Sequence, residues 1–484
     1  MTKTRDLADL GGGFIQAGTG AVQRTVESKL QDVVSVKDFG AKGDGVTNDT
    51  AAIQAAINYV QSFHIPETYA SASPGPGVTE LIFPFGVYKI TAALTVTRSI
   101  SFRGEGHSEF SVGARIIQYT AATDHFRVNP IAQGCSVSWD DLTMTASGNG
   151  GTAGYCININ KTTAVCNSVR IRNCTFGTPQ SGAIRLQSSD DVIISGNLFD
   201  VSAFHSIILG TSSATDVVSN CRIEGNAFYG IAGFVFLLYN VSNLVITSNV
   251  IYKAVSNTAT VLDGYNTLPY QIKNVVFTNN TIDGADCVAQ ITSAQGFVCS
   301  GNIGTNLGAG VGATKSLIQL DSTLKRVTIS NNQLSGNVGA KHFYDTSGGT
   351  LTEGASVCGN IFIASGGTGN ALFVGPHIGV IGENLASGFS TDCLGSKVVT
   401  SGNAISVGVV NSLASAVYTR TVSGALPGDT VIINPTSTTW FAPPGIVVSA
   451  FVSAGNTVSI QYTNVTGSPI GVPAHDLRFI VVRY

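Results

Sequence analysis

Between Val192 and Phe362 one short pattern is written seven times, and this repeat constrains the fold more than any other feature of the chain. Its clearest copy runs Val192, Ile194, Gly196, Asn197, Phe199. Further copies centre on Asn226, Asn249, Asn280, Asn302, Asn332 and Asn360, at spacings of 29, 23, 31, 22, 30 and 28 residues. Five places before each asparagine stand Val192, Cys221, Leu244, Val275, Phe297, Val327 and Ala355. Three places before stand Ile194, Ile223, Ile246, Phe277, Cys299, Ile329 and Val357. Two places after stand Phe199, Phe228, Ile251, Ile282, Leu334 and Phe362, and only the Asn302 copy breaks this column, with Gly304.

Apolar residues alternating with period two lie on one face of a strand. A unit recurring every 20–50 residues implies stacked elements that share one continuous core. Strand-type units with no room for a regular helix predict a parallel β-helix. The asparagine is expected at the bend between two strands of each coil, because Asn tolerates the left-handed conformation and its amide bonds nearby backbone. With coils ~4.8 Å apart, these side chains form an internal amide ladder. A second polar column stands six places earlier, at Asp191, Asn220, Asn243 and Asn274.

The flanking segments complete the plan. Residues 1–32 contain Gly11-Gly12-Gly13 and Gly18-Thr19-Gly20, with a short helix possible over Val22–Leu30; they cannot bury a core alone and are expected to be an attachment segment. Val33–Thr50 is a β-branched strand, a glycine-rich turn and an N-cap cluster. An amphipathic helix follows at about 47–63, with Ile53, Ala56, Ile57 and Val60 on one face, and it covers the open apolar end of the solenoid. Asp44 and Asp49 read as carboxylates that cap this helix. The β-helix then spans 33–405, ragged as far as Cys174 and fading after Asn360. From 406 to 484 proline returns, alternating strands such as Thr430–Ile433 and Thr457–Tyr462 appear, and turns recur every eight to twelve residues. That pattern predicts an antiparallel β-sandwich.

The stretch Val33–Thr50, with Phe83-Pro84-Phe85-Gly86-Val87-Tyr88 and Phe102-Arg103-Gly104-Glu105-Gly106, resembles the opening of the pectate-lyase-like right-handed β-helix family. Ala21–Leu30 just ahead of it is similar to bacteriophage tailspike and tail-fibre proteins. Pro427–Thr430 and Asn464–Gly467 are similar to their C-terminal trimerising domains. The resemblance implies an all-β homotrimeric spike carried on the virion and synthesised in the host cytoplasm. Its N-terminal segment would dock on a baseplate or tail adaptor. Its partner would be the host's surface polysaccharide: lipopolysaccharide O-antigen, capsule or exopolysaccharide.

Composition narrows the alternatives. Only 11% of residues are charged, against ~25% in ordinary soluble domains, which suits short strands covered by neutral polar side chains. A net charge of −3 gives no electrostatic case for nucleic acid or an anionic membrane as partner. No apolar run approaches the ~20 residues of a spanning helix, and Met1–Leu10 does not read as a signal peptide. The nine cysteines include no C-x-x-C pair and read as small packed thiols rather than a metal site or disulfide framework. No cofactor is implied. Asp190-Asp191 could mimic a calcium site, but Asp191 belongs to the polar column.

Function must therefore sit on outward positions. Three places after the asparagines stand Asp200, Tyr229, Tyr252, Asp283, Thr305, Ser335 and Ile363. Tyrosines offer a sugar ring an apolar face, and carboxylates supply the acid and base of glycosidic cleavage. Asp200 and Asp283 fall ~14 Å apart at one coil per ~4.8 Å, beyond the ~5–9.5 Å of a glycosidase pair. Nearer partners are Glu224, across the bend from Asp200, and Asp286. Asp263, Tyr265 and His205 complete the candidates for substrate contact. The sequence points to a spike that recognises and depolymerises surface glycan, by hydrolysis rather than elimination, since outward bases are few (Arg222, Lys253, Lys273). A non-catalytic adhesin and a secreted polygalacturonase or pectate lyase are the alternatives.

Overall fold

The structure is a computed structural model. It describes residues 13–30, 32–63, 80–106, 113–131, 134–147, 154–161, 164–177, 181–200, 205–213, 215–230, 233–252, 260–264, 272–308, 317–320, 322–336, 344–345, 349–351, 355–364, 373–374, 379–382, 385–387, 393–394, 396–400, 407–421, 427–435, 442–475 and 477–482. The chain winds into a right-handed parallel β-helix in which each coil gives one strand to each of three sheets. Among the described residues these sheets hold 14, 13 and 11 strands, all paired in parallel. The first face runs from Val34–Ser35 to Gly379–Gly382. The second runs from Asp44–Asn48 to Leu385–Ser387, and the third from Leu94–Val96 to Phe373–Val374.

The apolar columns read from the repeat all point inward. Val192, Leu244, Ile223, Phe277, Phe228 and Ile282 are buried in one core that extends along the whole helix. Phe176, Phe199 and Phe228 stack on successive coils, with ring centroids 4.9 and 4.5 Å apart; stacked pairs add ~0.5–1.5 kcal/mol beyond their area. In the copy that carries Gly304, Leu307 is buried instead, and a methyl on Gly304 would stand 2.7 Å from its Cδ1. Leu307 fills the vacant inward position after a register shift in the strand pairing.

The seven asparagines form an unbroken buried ladder. Each Oδ1 from Asn226 to Asn360 accepts from both the backbone N–H and the Nδ2 of the asparagine one coil before, at 2.9–3.0 Å. Each Nδ2 also donates to a backbone carbonyl of the preceding coil, as Asn249 does to Ile223 at 3.1 Å. The expected conformation is corrected in one respect. The left-handed residue is the one before the ladder asparagine: Gly196, Gly225, Ser248, Asn279, Gly301, Asn331 and Gly359 have φ between 56° and 68°. The ladder asparagine is held at the bend by its hydrogen bonds, not by a tolerance of positive φ. The outer column does use that tolerance: Asp191, Asn220, Asn243 and Asn274 have φ of 48–58°. Asn274 donates to Asn243 and Asn243 to Asn220, at 2.9 and 3.0 Å. Asp191 is gripped by Arg170, which fits a structural role.

The helix Thr50–Ser62 buries Ile53, Ala56, Ile57 and Val60 against the first coils. It also closes a sheet edge. Gln54 exchanges two hydrogen bonds with the Thr95 backbone (2.7 and 2.9 Å), and Gln61 donates to Arg98 O at 2.7 Å, so the terminal strand Leu94–Val96 is not left as an open template. The reading of Asp44 and Asp49 as helix caps is corrected. Asp49 accepts from Lys42 N and Gly43 N at 2.7 and 3.0 Å, and Asp44 accepts from Val46 N, Thr47 N and the Thr47 hydroxyl. Both carboxylates fix the preceding turn, while Asn48 accepts from Thr50 N at the helix start.

Upstream, Gly13–Phe14 pairs antiparallel with Arg24–Thr25, and this strand delays the short helix to Val26–Leu30. Downstream, antiparallel pairing begins before residue 406: Ser396–Thr400 pairs with Leu477–Val482, which in turn pairs with Thr430–Pro435. A three-stranded sheet (Ser415–Thr421, Thr457–Asn464, Ile446–Ala454) is built around a second core that contains Val458, Ile460 and Tyr462.

Candidate functional site

The three faces present different outer surfaces. On the second face Asp200, Tyr229, Tyr252, Asp283 and Thr305 stand in register on five successive coils. The two tyrosine rings are 6.4 Å apart and tilted by 45°. Asp283 accepts from Thr305 Oγ1 and Asn306 Nδ2 at 3.0 and 2.7 Å. Asp200 lies three coils away, ~14 Å by the strand spacing. The adjoining column carries Val250, Ile303 and Ile361, each more than a third exposed. Among the described residues Tyr229 and Tyr252 are also exposed on this face. Glu224 belongs to the first face, 3.5 Å from Arg222, on the far side of the bend from Asp200.

The third face is different. Its outward column reads Arg127, Asn158, Arg185, Ile208, Leu237, Asp263, Gln290 and Gln319, in register on eight coils. Ile208, Leu237 and Asp263 are only 5–6% exposed, although Ile207, Leu209, Phe236, Leu238 and Leu262 beside them fill the core and these three do not join it. The middle of the column is therefore covered on its outer side, and it reaches solvent towards Arg185 and Gln290. Arg185 and Gln290, to either side, are half-exposed. The strip is cationic at one end, apolar in the middle and acidic at Asp263. Convergent polar groups beside an apolar strip are what a ligand site requires.

The candidate residues therefore divide. Asp263 lies on the strand Thr260–Gly264, in the covered middle of the third-face column. Asp286 is buried, immediately before the strand Cys287–Ile291. His205 opens the strand His205–Leu209 on the same face, half-buried, its ring stacked on Phe234 at 5.2 Å and its Nδ1 accepting from Phe234 N at 3.4 Å. Tyr265 and Lys253 lie outside the described residues. Asp286 is four residues from Gln290, the in-register partner of Asp263, so ~14 Å separates the two acids along strands rising ~3.3 Å per residue. No two of Asp200, Glu224, Asp283 and Asp286 share a face at glycosidase spacing.

Eight of the nine cysteines are described and are free thiols, seven of them buried. Burial raises the Cys174 and Cys299 thiols to about 12, so they pack rather than react. Among the described residues no three of His, Cys, Asp and Glu group as metal ligands, and no helix is long and apolar enough to cross a membrane.

The strip went unread in the sequence because its position floats. Ile208, Leu237, Asp263 and Gln290 follow their ladder asparagines by 11, 11, 14 and 10 residues. Loops of variable length separate the second face from the third, so no fixed offset marks the column. The signal that could have found it is the short apolar run before each next repeat, such as Phe234–Leu238.

The fold is a parallel β-helix whose third face carries a charged and polar column with a covered apolar centre. Residues 33–233 match the family model described as rhamnogalacturonase A/epimerase, pectate lyase-like. A tail spike protein of an Escherichia phage is 60% identical over 38 residues, 8% of this chain and 5% of its own. The plasmin and fibronectin-binding protein A of Streptococcus pneumoniae is 26% identical over 210 residues, 42% of this chain and 26% of its own. The chain thus spans a minor part of both relatives. Among solved structures, a tailspike double mutant of E. coli bacteriophage HK620 superimposes with TM-score 0.55 at 12% identity, covering 100% of both chains. A single mutant of that tailspike in complex with a pentasaccharide gives TM-score 0.53 at 12% identity over 97% of each chain. DFA-IIIase from Arthrobacter chlorophenolicus without its lid gives 0.51 at 14% identity, over 75% of this chain and all of its own.

Proposed function

We propose that this protein is a phage tailspike that binds host-surface polysaccharide along the third face and depolymerises it there. The observation that supports the reading is the third-face column itself, charged and polar side chains in register on successive coils around an apolar centre at Ile208 and Leu237, a span that suits a polymer better than a small molecule. Asp263, buried against Leu237, is the acid that meets the glycosidic oxygen, with His205 and Asp286 positioning at the margin. The spike works as a homotrimer on the virion. The exposed apolar column of the second face (Val250, Ile303, Ile361) suits subunit contact, and the first 32 residues suit attachment to the tail.

A purely adhesive spike is the second reading. It is favoured by one observation, that no two of Asp200, Glu224, Asp283 and Asp286 stand on neighbouring strands of one face, where a glycosidase pair would be held. Incubation of the full-length protein with host polysaccharide, followed by sizing of the products, separates the two. Shortened oligosaccharides that disappear in Asp263→Asn support turnover. Tight binding with undiminished polymer length supports the adhesin, and absence of binding refutes both.

A further inference from the structure

We propose that the cationic end of the third-face column is a subsite for a carboxylate-bearing sugar, so that the glycan is acidic; this rests on the glycan-binding reading above. Arg127, Asn158 and Arg185 stand in register on three successive coils, which puts the two arginine Cα atoms ~10 Å apart at the strand spacing. Asp124, only 3% exposed, holds this end together. It accepts from Tyr155 N at 2.9 Å, from Asn158 Nδ2 at 3.1 Å and from Arg127 Nε at 2.8 Å. Its charge is thereby matched by Arg127.

Arg185 is not matched. Among the described residues it makes no hydrogen bond or ion pair, and its guanidinium lies 5.6 Å from the Tyr155 ring centroid. The other charged groups nearby answer each other, Lys161 pairing with Asp216 at 2.9 Å. A half-buried guanidinium without an anion is held open for one, and its planar fork fits a carboxylate with two parallel hydrogen bonds. A second observation points the same way. Asn158 is 6% exposed, and its Oδ1 is buried without a partner. Such an orphaned acceptor costs ~1–3 kcal/mol, and a sugar hydroxyl beside the carboxylate would satisfy it. At the opposite end Asp263 repels a second anion, three coils from Arg185. The column thus orients the glycan, with its acidic sugar towards Arg185.

The test is binding of the full-length protein to a panel of purified bacterial surface polysaccharides, acidic and neutral, and to a carboxyl-reduced form of each acidic member bound. The expected result is retention of an acidic member, lost tenfold or more on carboxyl reduction. Arg185→Gln should weaken binding ~10–100-fold, the scale of a charge-assisted hydrogen bond, and Arg185→Lys should fall between, with thermal melting unchanged in both. Retention of neutral members only, or indifference to carboxyl reduction and to Arg185→Gln, overturns the acidic subsite and leaves the glycan reading intact. Retention of no member overturns the glycan reading itself.

Discussion

Truncating one rung of the inner ladder, Asn249→Ala, should cost far more stability than its size suggests. Asn249 is 1% exposed. Its Oδ1 accepts from Asn226 N and Asn226 Nδ2 at 3.0 and 2.9 Å, and its Nδ2 donates to Ile223 O, Thr247 O and Asn280 Oδ1 at 3.0–3.1 Å. Asn226 Nδ2 keeps its bonds to Ile194 O and Glu224 O, and Asn280 Oδ1 keeps Asn249 N. The groups left stranded are the Asn226 backbone N–H and the Nδ2-facing lone pair of Ile223 O. At ~1–3 kcal/mol for each buried orphan, the loss is about 4 kcal/mol. The matched control is Asn243→Gly in the exposed outer column, where φ is 58°. Glycine accepts that backbone freely, and the cost should stay under ~1 kcal/mol. Urea unfolding of the full chain at fixed protein concentration reads both. If Asn249→Ala is no more destabilising than Asn243→Gly, the ladder is ornament on a core that holds itself, and the reasoning fails.

Other perturbations follow from the same geometry. Ser248 has φ of 57° where four other copies of the repeat carry glycine, so Ser248→Gly should raise stability by about 1 kcal/mol in the same urea assay. Gly301→Ala should lose about 2 kcal/mol or more, because φ is 65° and the new methyl would stand 2.5 Å from Asn279 Oδ1. Burial lowers His125 to about 4 from 6.5 in the unfolded chain, so the unfolded state binds the extra proton between those values. Stability should fall by up to about 3 kcal/mol as pH drops from 6.5 to 4, with no further His125 contribution below that; His125→Gln, which can still donate to Thr145 O, should flatten that part of the pH–stability curve. Tyr229→Ala and Tyr252→Ala should leave glycan affinity within twofold, whereas Arg185→Gln should weaken it about tenfold or more; affinity chromatography on the bound polysaccharide tests both.

The β-helix was legible because its grammar is local. Val192, Ile194 and Asn197 sit at fixed offsets around a bend of fixed length, so the same three constraints recur in every coil and can be counted. The residue that adopts the left-handed conformation was misassigned, because Asn and Gly share that preference and Gly196-Asn197 offers both; only the hydrogen-bond network distinguishes the buried partner from the turning one. The caps misled similarly: Asp49 stands at a helix start, yet the turn at Lys42-Gly43 competes for its carboxylate and wins both oxygens. The candidate site was half legible. Asp263 and His205 could be named as residue types, but their shared face depends on loops whose lengths differ from coil to coil. Tyr229 and Tyr252 were correctly stacked on neighbouring coils. What the pattern could not say is that these tyrosines are exposed while the middle of the third-face column is covered.

The most direct test of the account is a structure of the full-length protein with a bound oligosaccharide cut from the polysaccharide it retains. Sugar density should run along the third face, with a carboxylate at Arg185 and a glycosidic oxygen within hydrogen-bond reach of Asp263. Density lying across Tyr229 and Tyr252 on the second face, with none along the third face, would contradict it.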